Sequence, residues 1–326
     1  MENKIETKKE NITLTSTKNV LLRSFALLIG TIVWGFAFVA QSEGGAVTGD
    51  FTFSSIRMLI AGATVLVVVM ITRWKKPRNI KALLKGGVIC GVFLAIATNL
   101  QQFGLSLGTS VGKAGFITAM YIILVPVLAF ILFRKKSSWN VWAGVAIAIV
   151  SLYLLCIKEG FDFQLSDLLV LGCALMFSFQ ILSIDKFVKD VNPLELCVVE
   201  FFVCGLISAV PMFIFEIGKD PAAWAVSMSS MKAWIPLLYA AVMSGGVGYT
   251  LQAVGQKGVN PTLAALIMSL ESVFAVLAGW LILHQTLSTR EFIGCALMFV
   301  AIIIAQIPIK TKKTVVPQIP DDEPPS

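Results

Sequence analysis

The sequence predicts an all-α integral membrane protein of ten transmembrane helices, folded as two five-helix repeats that cross the bilayer in opposite senses. Three observations carry this reading. Of the 326 residues, 57% are hydrophobic and 14% charged, against about 45–50% and about 25% in an average soluble domain. A soluble fold of this size cannot bury so much apolar surface. Apolar stretches of membrane-crossing length recur along the chain, and the second half echoes the first at a spacing of about 142–151 residues.

The apolar stretches fall at 22–42, 51–71, 86–107, 110–133, 139–157, 167–188, 195–216, 234–256, 262–284 and 289–308. At about 20 residues each, they cross roughly 30 Å of hydrocarbon as helices. The first follows a polar, charged segment (1–20) and is too long for a signal-peptide core. The basic run from Arg73 to Lys85, broken at Pro77, ends the second stretch, and Arg134 to Lys136 ends the fourth. Asn192-Pro193, Asp220-Pro221 and Asn260-Pro261 separate later stretches. Pro126, Pro211 and Pro236 lie inside stretches and predict kinks. The chain thus divides into a tail (1–20), a first repeat (21–157), a second repeat (166–308) and a basic, then Pro-rich and acidic tail (309–326) that reads as disordered.

With the N-terminus inside, 20 of the 26 Lys and Arg fall on the inner side. This bias puts both termini in the cytoplasm and the protein in the cell membrane. The net charge of +7 therefore belongs to membrane topology and not to nucleic-acid binding.

The repeat shows residue by residue. Leu100-Gln101-Gln102-Phe103-Gly104 matches Leu251-Gln252-Ala253-Val254-Gly255. Gly30 and Trp34 align with Gly172 and Met176, Arg57 and Gly62 with Glu200 and Gly205, and Ser138 and Gly144 with Ser288 and Gly294. Five helices per repeat is an odd number, so the halves are inverted. Inverted repeats are a recurrent plan in proteins that move a solute through a midplane site.

These features resemble the drug/metabolite transporter superfamily, EamA-type, over roughly residues 20–308. The resemblance rests on Gly30-x-x-x-Trp34-Gly35 with Phe38, on Phe51-Thr52-Phe53 leading to Arg57, and on Asn260-Pro261 through Ser269-Leu270-Glu271 with Ser288 beyond. The family usually has Pro where this chain has Ser272, and often an acid where it has Gln285. The resemblance implies a secondary-active transporter, and specifically an exporter, of a small metabolite or drug by alternating access.

Helical phase selects the candidate lining. Thr31, Trp34, Phe38 and Gln41 form one stripe, and Cys173, Met176, Gln180 and Ser183 form its counterpart. Gly245, Tyr249, Gln252 and Gln256 share a face, as do Asn99, Gln102 and Ser106. Polar groups are costly in lipid, so these faces point inward. They line a cavity or hydrogen-bond between packed helices. The substrate-binding candidates are Trp34, Phe38, Gln41, Asn99, Gln102, Tyr121, Gln180, Tyr249 and Gln252.

Arg57, Glu200 and Glu271 are the coupling or gating candidates. Glu271 either carries a coupling proton or serves as a structural acid on a face shared with Ala264, Ala275 and Ala278. Arg57 and Glu200 occupy matching positions, but inversion separates them in depth, and Glu43 is the expected partner of Arg57. Lys113 either snorkels outward or attracts an anion.

Enzymatic signals are thin. His284 has no neighbouring acid or Ser arrangement. Gly108-Thr109-Ser110-Val111-Gly112-Lys113 is one residue short of a phosphate loop and runs into Ala114. The six cysteines include no Cys-x-x-Cys, which argues against zinc or a disulfide framework. No metal or cofactor is expected. The expected partners are lipid, a small-molecule substrate and protons as coupling ion, with room for a homodimer. A membrane-embedded enzyme and a non-transporting regulatory subunit are the alternatives.

Overall fold

The computed structural model describes residues 2–73, 79–109, 111–135, 137–156, 164–282 and 288–307. His284, Gln285 and the tail from 309 lie outside these residues. So does most of the connection between 156 and 164.

Apolar runs with no strand alternation fold as helices, because in lipid the backbone must satisfy its own hydrogen bonds. Among the described residues, eight helical segments are long and apolar enough to cross a membrane: Asn19–Thr48, Asp50–Arg73, Ile80–Ser106, Ala114–Phe133, Leu165–Phe187, Pro193–Ile217, Met231–Gln256 and Pro261–Ile282. The predicted fifth stretch is a shorter apolar helix, Trp139–Leu154. The predicted tenth is the helix Thr289–Gln306. Polar caps set several starts. The Asn192 and Asn260 side chains accept from the first turns of the helices opened by Pro193 and Pro261. Ser288 and Glu291 form a capping box.

In chain order the elements that matter for the site are α1 (Glu2–Thr48), α2 (Asp50–Arg73), α3 (Ile80–Ser106), α4 (Val111–Thr118), α5 (Tyr121–Phe133), α6 (Trp139–Cys156), α7 (Leu165–Phe187) and α8 (Pro193–Pro211). They continue with α9 (Pro221–Met228), α10 (Met231–Leu238), α11 (Thr250–Gln256), α12 (Pro261–Met268), α13 (Glu271–Ile282) and α14 (Thr289–Gln306). Packing runs across the two halves of the sequence: α6 on α14, α3 on α7 and α8, α2 on α8, and α1 on α11 and α13.

Two crossing spans are broken. Ala114–Phe133 splits at Ala119-Met120 into α4 and α5, and Pro261–Ile282 at Ser269-Leu270 into α12 and α13. Neither break contains Pro or Gly. Tertiary contacts hold them instead: the Ser272 hydroxyl donates to the Gly115 carbonyl at 3.3 Å, and the Ser269 hydroxyl lies 3.5 Å from Met298 Sδ.

Pro211 and Pro236 lie inside helices that widen just beyond them, into π-helical turns at Met212–Ile217 and Tyr239–Tyr249. Proline removes a donor from the ladder, and a wide turn is one way the chain absorbs the defect.

Glycines bring helices together where a side chain would intrude. A Cβ on Gly35 would meet the Phe274 carbonyl carbon at 2.6 Å, so α1 and α13 cross almost backbone to backbone. A Cβ on Gly248 would meet Trp34 Nε1 at 2.5 Å.

Candidate functional site

Where the wide turn at Tyr239–Tyr249 faces α1, Trp34 Nε1 donates to the Ser244 carbonyl at 3.2 Å. The Trp34 ring lies 4.8 Å from that of Tyr249, tilted at 57°. Gly248 admits the indole, and the loosened backbone presents the carbonyl. This aromatic pair forms one wall of a small cavity inside the bundle, of about 40 Å³.

Trp34, Phe38, Gln41, Tyr121, Gln180, Tyr249 and Gln252 all line this cavity, as do Arg57 and Glu271. Asn99 and Gln102 do not. Asn99 Nδ2 donates to Ala95 O and to Ser208 Oγ, both at 2.7 Å. Gln102 Nε2 donates to Gln41 O and Asp50 Oδ1 at 3.3 Å, beside a Cβ-free approach at Gly45. Both amides join helices, which is the interhelical alternative for that stripe. Glu200 is fully buried behind the wall and reaches it through Gln180.

Further lining comes from Ala37, Gln101, Thr118, Phe177, Ile181, Ser244 and Met268. Gln101 and Thr118 were legible. Gln101, not Gln102, is the repeat counterpart of Gln252, whereas the Asn99–Gln102–Ser106 phase selects the neighbouring face. Gln101/Gln252, Thr118/Met268, Tyr121/Glu271 and Phe38/Gln180 are separated by the same 142–151 residues as the sequence echo.

Two polar chains organise the walls. Gln252 Nε2 donates to Gln180 Oε1 at 3.0 Å, and Gln180 Nε2 donates to Glu200 Oε1 at 2.8 Å. Tyr121 donates its hydroxyl to Glu271 Oε1 at 3.0 Å, joining the two broken spans at the first residues of α5 and α13. Gln101 Nε2 donates to Thr118 Oγ1 at 3.1 Å. The side-chain Oε1 atoms of Gln41 and Gln252 are buried without a hydrogen-bond partner.

The expected Glu43–Arg57 pair is not formed. Glu43 is exposed, while its neighbours Gly44 and Gly45 turn the opposite face of α1 against Phe53 and Gln102. Arg57 is 3% exposed, and its guanidinium stacks 5.2 Å from the Phe53 ring centre. Arg57 and Glu200 do not pair. The Glu271 face shared with Ala264, Ala275 and Ala278 is closely packed, all three alanines being buried. Among the described residues no group of three or more His, Cys, Asp and Glu is arranged to hold a metal.

Comparison with known proteins places the chain. It is 27% identical over 287 residues to an uncharacterized transporter of Archaeoglobus fulgidus, covering 88% of this chain and 86% of that one. It is 25% identical to the uncharacterized transporter YwfM of Bacillus subtilis, covering 89% and 96%. A chloroplastic WAT1-related protein, At3g02690 of Arabidopsis thaliana, is 23% identical, covering 90% of this chain and 72% of its own. A solved crystal structure of a protein shares the fold with a TM-score of 0.72 at 18% identity, over 87% of this chain and 96% of the other. The EamA-like transporter family model matches twice, at residues 22–157 and 164–306, and the chain belongs to that family.

Proposed function

We propose that the protein is a secondary-active transporter of the cell membrane that exports a small organic metabolite or drug by alternating access. Ten spans form two inverted five-helix repeats (21–157 and 166–308), with both termini in the cytoplasm. The observation that carries this reading is the cavity itself, walled by aromatic and amide side chains from both halves at the repeat separation. The exchange of helix partners between the halves also supports it, because a site between two bodies opens when one rocks against the other. The transporter names of the relatives support a non-enzymatic role.

Glu271 stands at the midplane with one oxygen held by Tyr121, and protons are the coupling ion we assign to it. The test is a comparison of solutes released by cells that overproduce the wild type or Trp34→Ala, followed by flux of the released solute in liposomes holding the purified protein. Loss of release in Trp34→Ala at near-normal membrane abundance is expected. Liposomes that move none of the solutes enriched outside the cells would overturn the transporter reading. A cytoplasm-dependent reporter fused after Lys136 or Lys313 should be active, and one fused after Gly160 silent. Activity at Gly160 would overturn the ten-span inverted topology.

A further inference from the structure

We propose that Arg57 is the receptor for a carboxylate carried by the transported solute, which makes the cargo class small monoanionic or zwitterionic acids with an apolar or aromatic body. The proposal rests on the cavity being the transport site.

Arg57 lies about two turns into α2, roughly 10 Å along the helix axis from Asp50. Its side chain is buried and lines the cavity. It forms no ion pair among the described residues, and its Nε has no hydrogen-bond acceptor. The ring of Phe53 lies against its guanidinium. Buried cations in proteins are paired, because an isolated charge in a low-dielectric interior is strongly unfavourable. Guanidinium does not escape that cost by shedding a proton, since it remains charged in proteins.

Among the described residues no acid forms an ion pair with Arg57. Glu271 accepts from Tyr121 on the wall built by α5 and α13, Glu200 accepts from Gln180, and Glu43 is exposed on another face of α1. The counter-charge is therefore left to an occupant of the cavity.

The geometry of the vacancy names the occupant's chemistry. Arg57 borders the cavity with no acid against it, and a guanidinium binds a carboxylate through two parallel hydrogen bonds. Among the described residues Arg57 is the only cation lining the cavity, and Glu271 stands in the same lining. One cation facing one acid suits a single negative charge and disfavours a phosphate dianion. Trp34, Phe38, Phe177 and Tyr249 supply apolar surface for the rest of the molecule. Glu271 offers an acceptor to an ammonium group, if the acid carries one.

Equilibrium binding to the purified full-length protein in nanodiscs tests this, with tryptophan fluorescence and thermal melting as readouts. The probes share one ring: phenylacetate, 3-phenylpropanoate, 3-phenylpropanamide, phenethylamine and phenylalanine. At least one of the three carboxylates should bind at least tenfold tighter than the amide and the amine. Phenylalanine binding tighter than 3-phenylpropanoate identifies the zwitterion, and the reverse order identifies the simple acid. Arg57→Gln should abolish the preference for carboxylate over amide. Arg57→Lys, which keeps the charge and loses the fork, should retain part of it. Should Arg57→Gln fail to fold, the wild-type preference and the Arg57→Lys loss still decide. The proposal is overturned if no carboxylate outbinds its amide, or if Arg57→Gln or Arg57→Lys leaves the full preference intact. Flux of the same probes in liposomes separates the two ideas. Carboxylate-selective binding without flux overturns the transport reading alone, and flux blind to the carboxylate overturns the role of Arg57 alone.

Discussion

The two ends of the bundle are fastened by different chemistry. At the end where α1 turns into α2, Glu216 reaches across from the second half and accepts from Phe51 N at 2.9 Å, Thr52 N at 2.7 Å and Thr52 Oγ1 at 2.6 Å. Trp224 Nε1 adds a bond to the same hydroxyl at 3.0 Å. A carboxylate on the first N–H groups of α2 satisfies donors that no helix satisfies for itself and meets the positive end of the helix dipole. At the opposite end the fastening is ionic. Arg73 Nε lies 3.1 Å from Glu195, and Asp185 receives both Lys135 and Lys189. The cations here are partly exposed, with Lys135 at 39% and Lys189 at 55%. Directed backbone bonds depend on geometry and little on salt, whereas exposed ion pairs are screened. The ends are thus separable by ionic strength.

The largest effect is expected from Glu216→Ala. It leaves two first-turn N–H groups and a hydroxyl unmatched, and should lower unfolding stability by about 2–4 kcal/mol. The loss should be the same in low and high salt. Chemical or thermal unfolding of the purified protein measures it, and a loss that shrinks in high salt would erase the contrast between the ends.

A group between the ends gives the next effect. Glu271→Ala removes the acceptor of Tyr121 inside the bundle and should cost about 1–3 kcal/mol, read as a lower yield of folded protein. Glu271→Gln keeps an acceptor and should fold nearly as wild type. In vesicles Glu271→Gln also reports the coupling role: proton-driven flux should vanish while exchange between solute-loaded vesicles survives. Unchanged proton-driven flux would leave Glu271 a purely structural acid.

Gly49 sharpens the account of the Glu216 latch. Its φ of +90° and a Cβ position 2.7 Å from the Glu216 carboxylate make a side chain doubly unfavourable. Gly49→Ala should destabilise by about 1–2 kcal/mol through backbone strain and the displaced latch. Adding Glu216→Ala should then cost less than it does alone, as expected for residues in contact. Additive losses in a double-mutant cycle would show that the two positions act independently.

The smallest effect belongs to the ionic end. Asp185→Asn should cost about 0.5–1 kcal/mol at low salt, and almost nothing at high salt, where the wild type has already lost the pair. A large, salt-independent loss would show that Asp185 is held by its own burial and not by the exposed cations.

The sequence makes the spans and their inward faces readable because a polar atom in an apolar stretch is conspicuous and must be turned from lipid. Trp34, Gln180, Tyr249 and Gln252 stand out in this way. The span breaks are not readable, since Ala119-Met120 and Ser269-Leu270 carry no breaker and are held by contacts made only after folding. Glu216 is hidden for a similar reason: its partners lie about 165 positions away. Glu43 misleads because closeness in sequence to the end of a span says nothing about facing. Gln102 misleads because its phase matches one stripe while the repeat register points to Gln101.

The paired breaks have a mechanical consequence. Each broken span is a bent lever whose arms differ in length. By helical rise, α4 and α12, of 8 residues each, are about 12 Å long, and α5 and α13, of 13 and 12 residues, are about 18–20 Å. Rotation about the crossing at Tyr121 and Glu271 moves the tips of the long arms about one and a half times as far as those of the short ones. The levers run in opposite directions, since α5 and α12 share the Lys135–Asp185 end and α4 and α13 share the Glu216 end. Each end therefore holds one long arm and one short arm, and neither gains leverage over the other. With the levers balanced, the force needed to part each end is set by its fastenings.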